Sequence, residues 1–375
     1  MKNYILLFFI VTFIIVSCSK NVSLKETDKK YHISHSYKPN DVLLLSKGDE
    51  LFCVAYFQNT DKRLEITNLN TQDKKTIKLP EYLSGQYLLS VNPDTVYIYE
   101  NLFVGELHLI TSKGYEKTID LLSLINQNRV KLYGSSQIYN NALYVSGYNL
   151  THTKIEDNLI EYEYKILTEM VLNERVFVFK NLFTDSICVN QILSNFVKSE
   201  IVKSDRFTST NGLKIKNFKN ATICFHENSD LLFVFNNVSG KIENRIQIIS
   251  DYSSLKAPLV QLYDSESGKE EFVKQRQEAP YFNGVIYDVI FDEYRDLYFV
   301  VALLPNKDFH YLNNLTFERD WSLIVLNKNF NKAGEFFFDK NKFDFRTVFP
   351  IKEGILIANK NLNNEKTEFV LFQVL

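Results

Sequence analysis

The chain lacks both the charge pattern of a nucleic-acid binder and the apolar runs of a multispanning membrane protein. Its 43 Lys and Arg residues are balanced by 45 Asp and Glu residues, for a net charge of −2, and the two signs are interleaved along the chain. A duplex-binding protein concentrates basic residues on one surface, so no nucleic-acid partner is expected. Beyond residue 16, polar residues soon interrupt every hydrophobic stretch, which predicts no membrane-spanning helix in the body.

Proline and glycine are also scarce, with 7 and 12 residues, and no stretch rich in Ser, Gly or Pro divides the chain into domains. A single unit is therefore predicted over residues 31–375, because all-β folds often exceed the usual domain length. The polar, charged stretch at residues 18–30 is interpreted as a flexible tether before it.

Residue types that commonly act in catalysis or metal binding are few as well. Six histidines include one close pair, His32 and His35, which lacks further ligands at metal spacing. Cys53, Cys188 and Cys224 lie in apolar strand-like runs, which favours buried thiols, and their odd number allows at most one disulfide. Since the sequence has no Gly-x-Ser-x-Gly elbow and no phosphate-binding glycine loop, neither a metal nor a cofactor is expected.

The N-terminus has the pattern of a secretory signal. Lys2 precedes an apolar run, Tyr4–Val16, that is too short to span a bilayer comfortably. The run ends in Ile15-Val16-Ser17-Cys18, which resembles the lipobox of bacterial lipoproteins. That resemblance implies cleavage of residues 1–17 and acylation of Cys18, for example with palmitate, as the first mature residue. The alternative is an uncleaved anchor with an incidental cysteine.

The residues that follow the lipobox bear on location. Ser19-Lys20-Asn21 contains neither an acidic retention residue nor an acidic surface-export run. This favours the periplasmic face of the outer membrane for the lipid-anchored protein, with the cell surface as the alternative. A membrane contact through the N-terminal lipid is expected in either case.

Short apolar and aromatic runs between Asn, Asp, Gly and Lys turns predict an all-β fold. In residues 51–91, 94–122 and 321–338, hydrophobic strands are followed by a polar turn and a short charged strand. This order is typical of a β-propeller blade, and the charged strand would protect the blade edge. Blade length predicts six blades, with seven as the alternative. A pair of β-sandwiches is the competing fold.

The two ends of the body complement each other. The last section offers three strands, 347–350, 354–358 and 369–374, and is one strand short of a blade. Tyr31–Tyr37 is an unpaired strand-like segment at the other end. Because a propeller must close its ring, we expect Tyr31–Tyr37 to be the outer strand beside Phe369–Val374.

The segment Tyr281–Val300 and the strand pair within Trp321–Phe338 carry a resemblance to a family. With the lipobox, the Asp292-Glu293-Tyr294-Arg295 turn and the Asn327 turn, the chain resembles Bacteroidota lipoproteins of unknown function that have a six-bladed propeller similar in shape to TolB and NHL propellers. The resemblance implies architecture and compartment only. Phe299-Val300 departs from it, where a more polar pair is expected.

The densest polar cluster is the candidate site. Asp288, Asp292, Glu293 and Arg295 could place carboxylates and a guanidinium at the mouth of the channel, suited to acid–base work on a sugar or to holding a polar ligand. The alternative is a solvated hairpin turn in which Arg295 pairs locally with a carboxylate.

Two hydroxyl residues are candidate modification sites. Asp94-Thr95-Val96 and Asp185-Ser186-Ile187 are similar to the acidic-hydroxyl-apolar sites that Bacteroidota O-glycosylate, which makes Thr95 and Ser186 the expected acceptors. Both segments also fit ordinary strand starts.

Two functions remain open. The first is a non-catalytic binding or scaffold lipoprotein that holds a protein, peptide or glycan partner in the cell envelope. The second is a propeller-type glycan hydrolase or lyase, with carboxylates about 5–10 Å apart in its central channel. The few histidines and the single tryptophan favour the first.

The lipobox generates a first test. Changing Cys18→Ser removes the thiol that would be acylated, so the protein should lose its membrane attachment or remain uncleaved. Detergent phase partitioning and the size of the product measure both effects. A variant of mature size that still partitions fully with the detergent phase would contradict acylation at Cys18.

Overall fold

The computed structural model shows a six-bladed β-propeller, which confirms the predicted all-β class and the favoured number of blades. The described residues form six four-stranded antiparallel sheets and one two-stranded ribbon. These residues are 22–34, 41–58, 61–83, 87–99, 105–125, 130–149, 174–182, 184, 187–192, 206–207, 213–218, 221–226, 229–236, 242–255, 260–261, 283–306, 319–360 and 366–375.

Blades 1 to 3 follow one another along the chain, each from its inner to its outer strand. Blade 1 contains β2 (Asp41–Lys47), β3 (Glu50–Phe57), β4 (Arg63–Asn68) and β5 (Lys74–Lys78). Blade 2 contains β6 (Tyr87–Asn92), β7 (Thr95–Tyr99), β8 (Glu106–Thr111) and β9 (Gly114–Asp120), and a short helix α1 (Leu121–Ile125) follows it. Blade 3 contains β10 (Val130–Tyr139), β11 (Ala142–Asn149), β12 (Glu174–Lys180) and β13 (Cys188–Ile192).

Blades 4 and 5 repeat this order, and blade 6 takes its outer strand from the N-terminus. Blade 4 contains β15 (Leu213–Asn217), β16 (Ala221–His226), β17 (Leu231–Asn236) and β18 (Ile242–Gln247), and the ribbon pairs β14 (Arg206–Phe207) with β19 (Val260–Gln261). Blade 5 contains β20 (Val285–Asp292), β21 (Leu297–Leu303), β22 (Trp321–Asn327) and β23 (Lys332–Phe338). Blade 6 contains β24 (Phe349–Ile351), β25 (Gly354–Asn359), β26 (Lys366–Val374) and β1 (Leu24–Ser34), and a 3₁₀ turn (Phe345–Thr347) precedes it.

The hydrophobic core lies between blades. Six clusters of buried side chains each combine residues of two neighbouring blades. In β25, Ile355 and Ile357 pack against blade 5, whereas Leu356 and Ala358 pack against blade 1. A strand with both faces buried has an apolar sequence without alternation, which explains the continuous hydrophobic runs of the middle strands.

Two body cysteines belong to this core. Cys53 faces blade 6 and Cys224 faces blade 3, and both are buried free thiols, as predicted. The side chain of Cys188 lies outside the described part of the chain.

The ring closes through the N-terminal strand, which confirms the predicted pairing. In the antiparallel register, Tyr31 lies opposite Phe369 and Leu24 lies opposite Val374. The strand is longer than expected, because it begins at Leu24 and includes residues assigned to the tether. A bulge at residues 26–30 accommodates this extension, and Thr27 Oγ1 donates a hydrogen bond to the Leu371 carbonyl over 2.9 Å. Residues 35–37 of the predicted strand lie outside the described residues.

Strand direction divides the propeller into two faces. The inner strands β2, β6, β10, β15, β20 and β24 begin at one face, which we call the entry face. They end at the opposite face, called the turn face, where short hairpin turns connect them to the second strands. The longest stretches of chain between blade strands, 150–173, 193–212, 248–284 and 304–320, all join strand ends on the entry face. Segments of this kind often carry function.

The extended β1 generates a second test. A chain that begins at Tyr31 loses the pairing of Leu24 with Val374 and the packing of Val22 and Leu24 against the core of blades 5 and 6. We expect its melting temperature to fall by about 3 °C, since a loss of ~2 kcal/mol has that effect in a domain of this size. A chain that begins at Val22 should melt like the mature protein. Equal melting of both chains would show that residues 22–30 do not stabilise the ring.

Candidate functional site

Polar side chains from several blades meet where the inner strands begin, around the entry-face mouth of the central channel. Asp41, the first residue of β2, connects blades 1 and 2. Its Oδ2 accepts a hydrogen bond from the Leu88 N–H over 2.7 Å, and its Oδ1 accepts from the Val42 N–H over 2.9 Å. This carboxylate fixes the starts of two inner strands relative to each other.

Blade 6 contributes an ion pair beside Asp41. Asp344 caps the 3₁₀ turn by accepting the Arg346 N–H, and it also binds the guanidinium in a bidentate manner. Arg346 Nε lies 2.9 Å from Asp344 Oδ1, and Nη2 lies 2.7 Å from Oδ2. The Arg346 side chain remains 60% exposed. A partly exposed guanidinium therefore faces the channel mouth.

The two carboxylates differ in proton affinity. Burial raises the pKa of Asp41 to about 6, and hydrogen bonds from the Leu88 and Val42 N–H groups only partly oppose this. Burial also acts on Asp344, but hydrogen bonds and charge from Arg346 outweigh it and hold the pKa of Asp344 below its ordinary value. Neighbouring carboxylates with separated pKa values are typical of functional sites, although structural ion pairs produce them too.

Blade 4 contributes two lysines, which contact blade 5 along the channel. Lys214 Nζ donates to the Tyr287 carbonyl over 2.5 Å and lies 4.3 Å from the centre of the Tyr287 ring. Lys216 Nζ lies 2.7 Å from Asp288 Oδ1. Tyr287 also packs edge-to-face on Phe345 of blade 6, with ring centres 4.7 Å apart. Polar and aromatic contacts thus join blades 4, 5 and 6 around the channel.

An amide pair joins blades 3 and 4. Gln137 Oε1 accepts the Asn217 N–H over 2.7 Å, and Gln137 Nε2 donates to the Asn217 carbonyl over 3.3 Å. These groups satisfy each other across the blade boundary, so they stabilise the inner ring.

Exposed apolar side chains lie on the same entry face as this mouth. Tyr87 begins the inner strand β6, and Tyr82 lies in the connection before it. Tyr252 and Phe337 lie at the boundary of blades 4 and 5 with ring centres 5.7 Å apart, and Ile249 is nearby in the chain. Five of the seven large hydrophobic residues found exposed in the described chain belong to this group.

The buried carboxylate of Glu335 anchors the segment that follows blade 4. Glu335 of β23 accepts hydrogen bonds from Ser250 Oγ over 2.6 Å and from the Asp251 N–H over 2.7 Å. Lys332 Nζ neutralises it at 2.6 Å. The segment that carries Ile249 and Tyr252 is therefore anchored to blade 5.

The predicted cluster around Arg295 divides between two places. Asp288 contacts Lys216, as described above, and Glu293 is exposed. Asp292 is fully buried at the turn face, where its Oδ2 lies 2.6 Å from Arg295 Nε. Burial raises the pKa of Asp292, against the effect of the Arg295 charge.

Arg295 links two blades. Its guanidinium donates to the carbonyls of Ile351, Lys352 and Gly354 in the first turn of blade 6, over 2.7–3.0 Å. Local pairing with a carboxylate was one of the two interpretations of the sequence, and the contact with blade 6 adds to it.

The other predicted residues have separate positions. Thr95 is partly buried at the start of β7, next to Asp94, which forms an ion pair with Lys47 over 2.6 Å. Cys18 and Ser186 lie outside the described residues. The sequence does not single out Asp41, Lys214 or Arg346. Asp41 begins a largely apolar inner strand, Arg346 lies just before another, and Lys214 is one of three polar residues in β15.

Two other kinds of site have no candidate among the described residues. Within those ranges, no group of three or more His, Cys, Asp or Glu side chains could hold a metal ion. The same part of the chain contains no helix with the length and hydrophobicity to cross a membrane.

The raised pKa of Asp41 generates a third test. From about pH 4 to pH 7 the unfolded chain releases this proton before the folded chain does, so rising pH lowers the unfolding free energy by up to ~3 kcal/mol. Asp41→Asn should remove this decline. The measurement is the unfolding free energy of both proteins by urea titration across this range.

Asp344→Asn is the matched control. Because the pKa of Asp344 is lowered, its contribution is present above the ordinary carboxyl pKa and is lost on acidification. This variant should therefore lose more stability at neutral than at acidic pH. Parallel curves for wild type and Asp41→Asn would contradict a raised pKa at Asp41.

Comparisons with known proteins agree with the fold. No family model matches the sequence, and no curated protein matches it significantly. The chain is similar to the crystal structure of a DUF4221-family member from Bacteroides vulgatus, with a TM-score of 0.68 and 16% identity over 95% of this chain and 99% of that one. The β-propeller domain of Cps50 (Swd1) from Myceliophteria thermophila matches with a TM-score of 0.43 and 8% identity, over 92% and 98% of the two chains. Hsv2 from Kluyveromyces lactis matches with a TM-score of 0.40 and 10% identity, over 89% and 84%. The first likeness supports the six-bladed propeller fold alone, and the weaker two add nothing to it.

Proposed function

We propose that the protein is a lipid-tethered, extracytoplasmic binding or scaffold protein of the bacterial cell envelope. Its partner, an envelope protein, peptide or glycan, docks on the entry face. The observation that carries this proposal is the combination of exposed aromatic side chains and a charged channel mouth on that one face. The tether follows from the lipobox at Cys18.

The chemistry of the entry face suits a macromolecular partner. Aromatic side chains are enriched at the centres of protein interfaces and also stack on sugar rings, because they combine a large apolar surface with little loss of conformational freedom. Tyr252 and Phe337 form such a pair on an anchored segment. Arg346 and the tyrosine hydroxyls provide polar groups on the same face, which would set the orientation of the partner.

A glycan hydrolase or lyase is the second candidate, and one observation favours it. Asp41 and Asp344 lie near the same guanidinium at the channel mouth, and their pKa values are shifted in opposite directions. One carboxyl that keeps its proton near pH 6 and one that remains ionised is the arrangement that acid–base catalysis on glycosides requires.

The hydrogen bonds of Asp41 and Asp344 favour a binding function over catalysis. Both oxygens of Asp41 accept backbone N–H groups, and both oxygens of Asp344 bind Arg346. These contacts fix inner strands and the 3₁₀ turn, so they already account for the two carboxylates. The side chains of Tyr252 and Phe337 are about half exposed, so their rings are accessible to a partner.

A cross-linking pull-down from intact cells tests the binding face. The double variant Tyr252→Ser, Phe337→Ser removes exposed rings and should fold normally, but it should recover roughly tenfold less of the cross-linked partner. Tyr294→Ser, which removes an exposed tyrosine from the turn face, is the matched control and should recover the wild-type amount.

The outcome separates the two functions. Equal recovery with both variants, or a loss with Tyr294→Ser alone, would place the partner elsewhere and contradict docking on the entry face. Release of reducing ends from envelope polysaccharide by the wild type, abolished in the folded Asp41→Asn variant, would establish the enzyme instead.

A further inference from the structure

We propose that the turn face of blades 5 and 6 faces the lipid bilayer and that the entry face is directed away from it. This orientation deepens the proposed function and rests on acylation of Cys18. The partner here is a lipid surface, and the contact residues are Tyr294, Lys352 and Leu375.

Backbone hydrogen bonds fix the place where the chain joins the propeller. The Ser23 N–H donates to the Leu375 carbonyl over 3.0 Å, and the Leu375 N–H donates to the Ser23 carbonyl over 2.9 Å. The Val22 N–H donates to the Ala333 carbonyl of β23 over 2.9 Å. These bonds hold the chain at the turn-face ends of blades 5 and 6.

The approach of Val22 to blade 5 is close. A Cβ atom at Gly334 would lie 2.9 Å from the Val22 carbonyl oxygen, so the glycine provides the space that this contact requires. The point where the chain joins the propeller is therefore fixed on the turn face, beside β23 of blade 5 and the end of β26 in blade 6.

The length of the tether then excludes one orientation. Cys18 precedes Val22 by four residues, which span at most ~14 Å when fully extended. The 11 residues of β1 carry the chain on to the entry face, a distance of ~30 Å. A propeller with its entry face on the bilayer would place Val22 about that far from the lipid, and the tether could not reach it.

The side chains near the point where the chain joins the propeller suit a lipid surface. Tyr294 in the first turn of blade 5 is 40% exposed, and Leu375 at the end of blade 6 is 65% exposed. Both belong to the two blades that Val22 and Ser23 contact. Lys352, in the first turn of blade 6, has a 76% exposed side chain. Tyrosine favours the membrane–water interface, and lysine is attracted to anionic headgroups.

Arg295 connects the first turn of blade 5 to the first turn of blade 6. Arg295 lies next to Tyr294 in sequence and donates to the carbonyl of Lys352 over 3.0 Å, while the buried Asp292 holds its Nε over 2.6 Å. The two turns that carry Tyr294 and Lys352 are thereby fixed to each other. The contact with lipid would be made by a rigid surface.

Fluorescence quenching in vesicles tests the orientation. Full-length acylated protein with Cys188→Ala carries an environment-sensitive dye at Tyr294→Cys on the turn face or at Tyr252→Cys on the entry face. Cys53 and Cys224 are buried, so they should react slowly with the dye. In vesicles whose lipids carry a nitroxide on the headgroup, we expect several-fold stronger quenching at position 294 than at position 252, and detergent should abolish the difference.

The results distinguish the orientation from the tether. Vesicle flotation is measured on the same samples, and protein that fails to float would overturn acylation at Cys18 and this orientation with it. Protein that floats but is quenched equally at both positions, more strongly at 252, or at neither, would overturn the orientation and leave the tether intact.

Discussion

The structure depends on closure of the ring of blades. Every hydrophobic cluster in the described chain is shared by two neighbouring blades, so no blade buries both of its faces alone. The cluster between blades 6 and 1 combines Tyr31 and Ile33 from the N-terminal strand with Leu44 and Cys53. If β1 were absent, the outer edge of blade 6 would be unpaired and this cluster would be partly exposed. The remaining features, including the channel mouth, rest on a ring that only the two chain ends can complete.

Closure of the ring also determines which strands can carry polar side chains. The second strand of each blade is buried on both faces and is largely apolar, whereas the inner strands converge on the axis and retain solvent access. Asp41, Lys216 and Asp288 are found there because they can be partly hydrated and still bridge neighbouring blades. Such groups stabilise the ring and also give the channel mouth its charge. The same residues can therefore have a structural role and contact a bound partner.

Much of the fold could be predicted from the sequence, and the reasons are local. Continuous apolar runs, polar turns and charged outer strands repeat often enough to indicate propeller blades, and a final blade with three strands indicates closure by the N-terminus. The start of β1 was placed too late because Lys25-Glu26-Thr27-Asp28-Lys29 has the composition of a solvated tether. An outer strand packs on one neighbour only, so its sequence need not differ from that of a flexible segment.

The candidate site was harder to predict, because its contacts join distant parts of the chain. Local pairing of Arg295 with a carboxylate was one of two interpretations of the sequence, but its bonds to Ile351 and Gly354 depend on the relative position of two blades. The same holds for Asp41, whose partner Leu88 begins the next inner strand. Neither arrangement has a sequence spacing that identifies it. Polar residues at inner-strand starts are common, and only the register of the ring shows which of them meet.

The pairing of β1 with β26 has a consequence for biosynthesis. The N-terminal strand is the first part of the propeller to leave the ribosome, and its partner Lys366–Val374 is the last. The ring therefore stays open until β26 has been synthesised, and contacts between residues that are more than 300 positions apart form late and slowly. During that interval the apolar edge of blade 6 is exposed. A cell that makes this protein must keep a propeller with five complete blades from aggregating until the nine-residue strand β26 arrives.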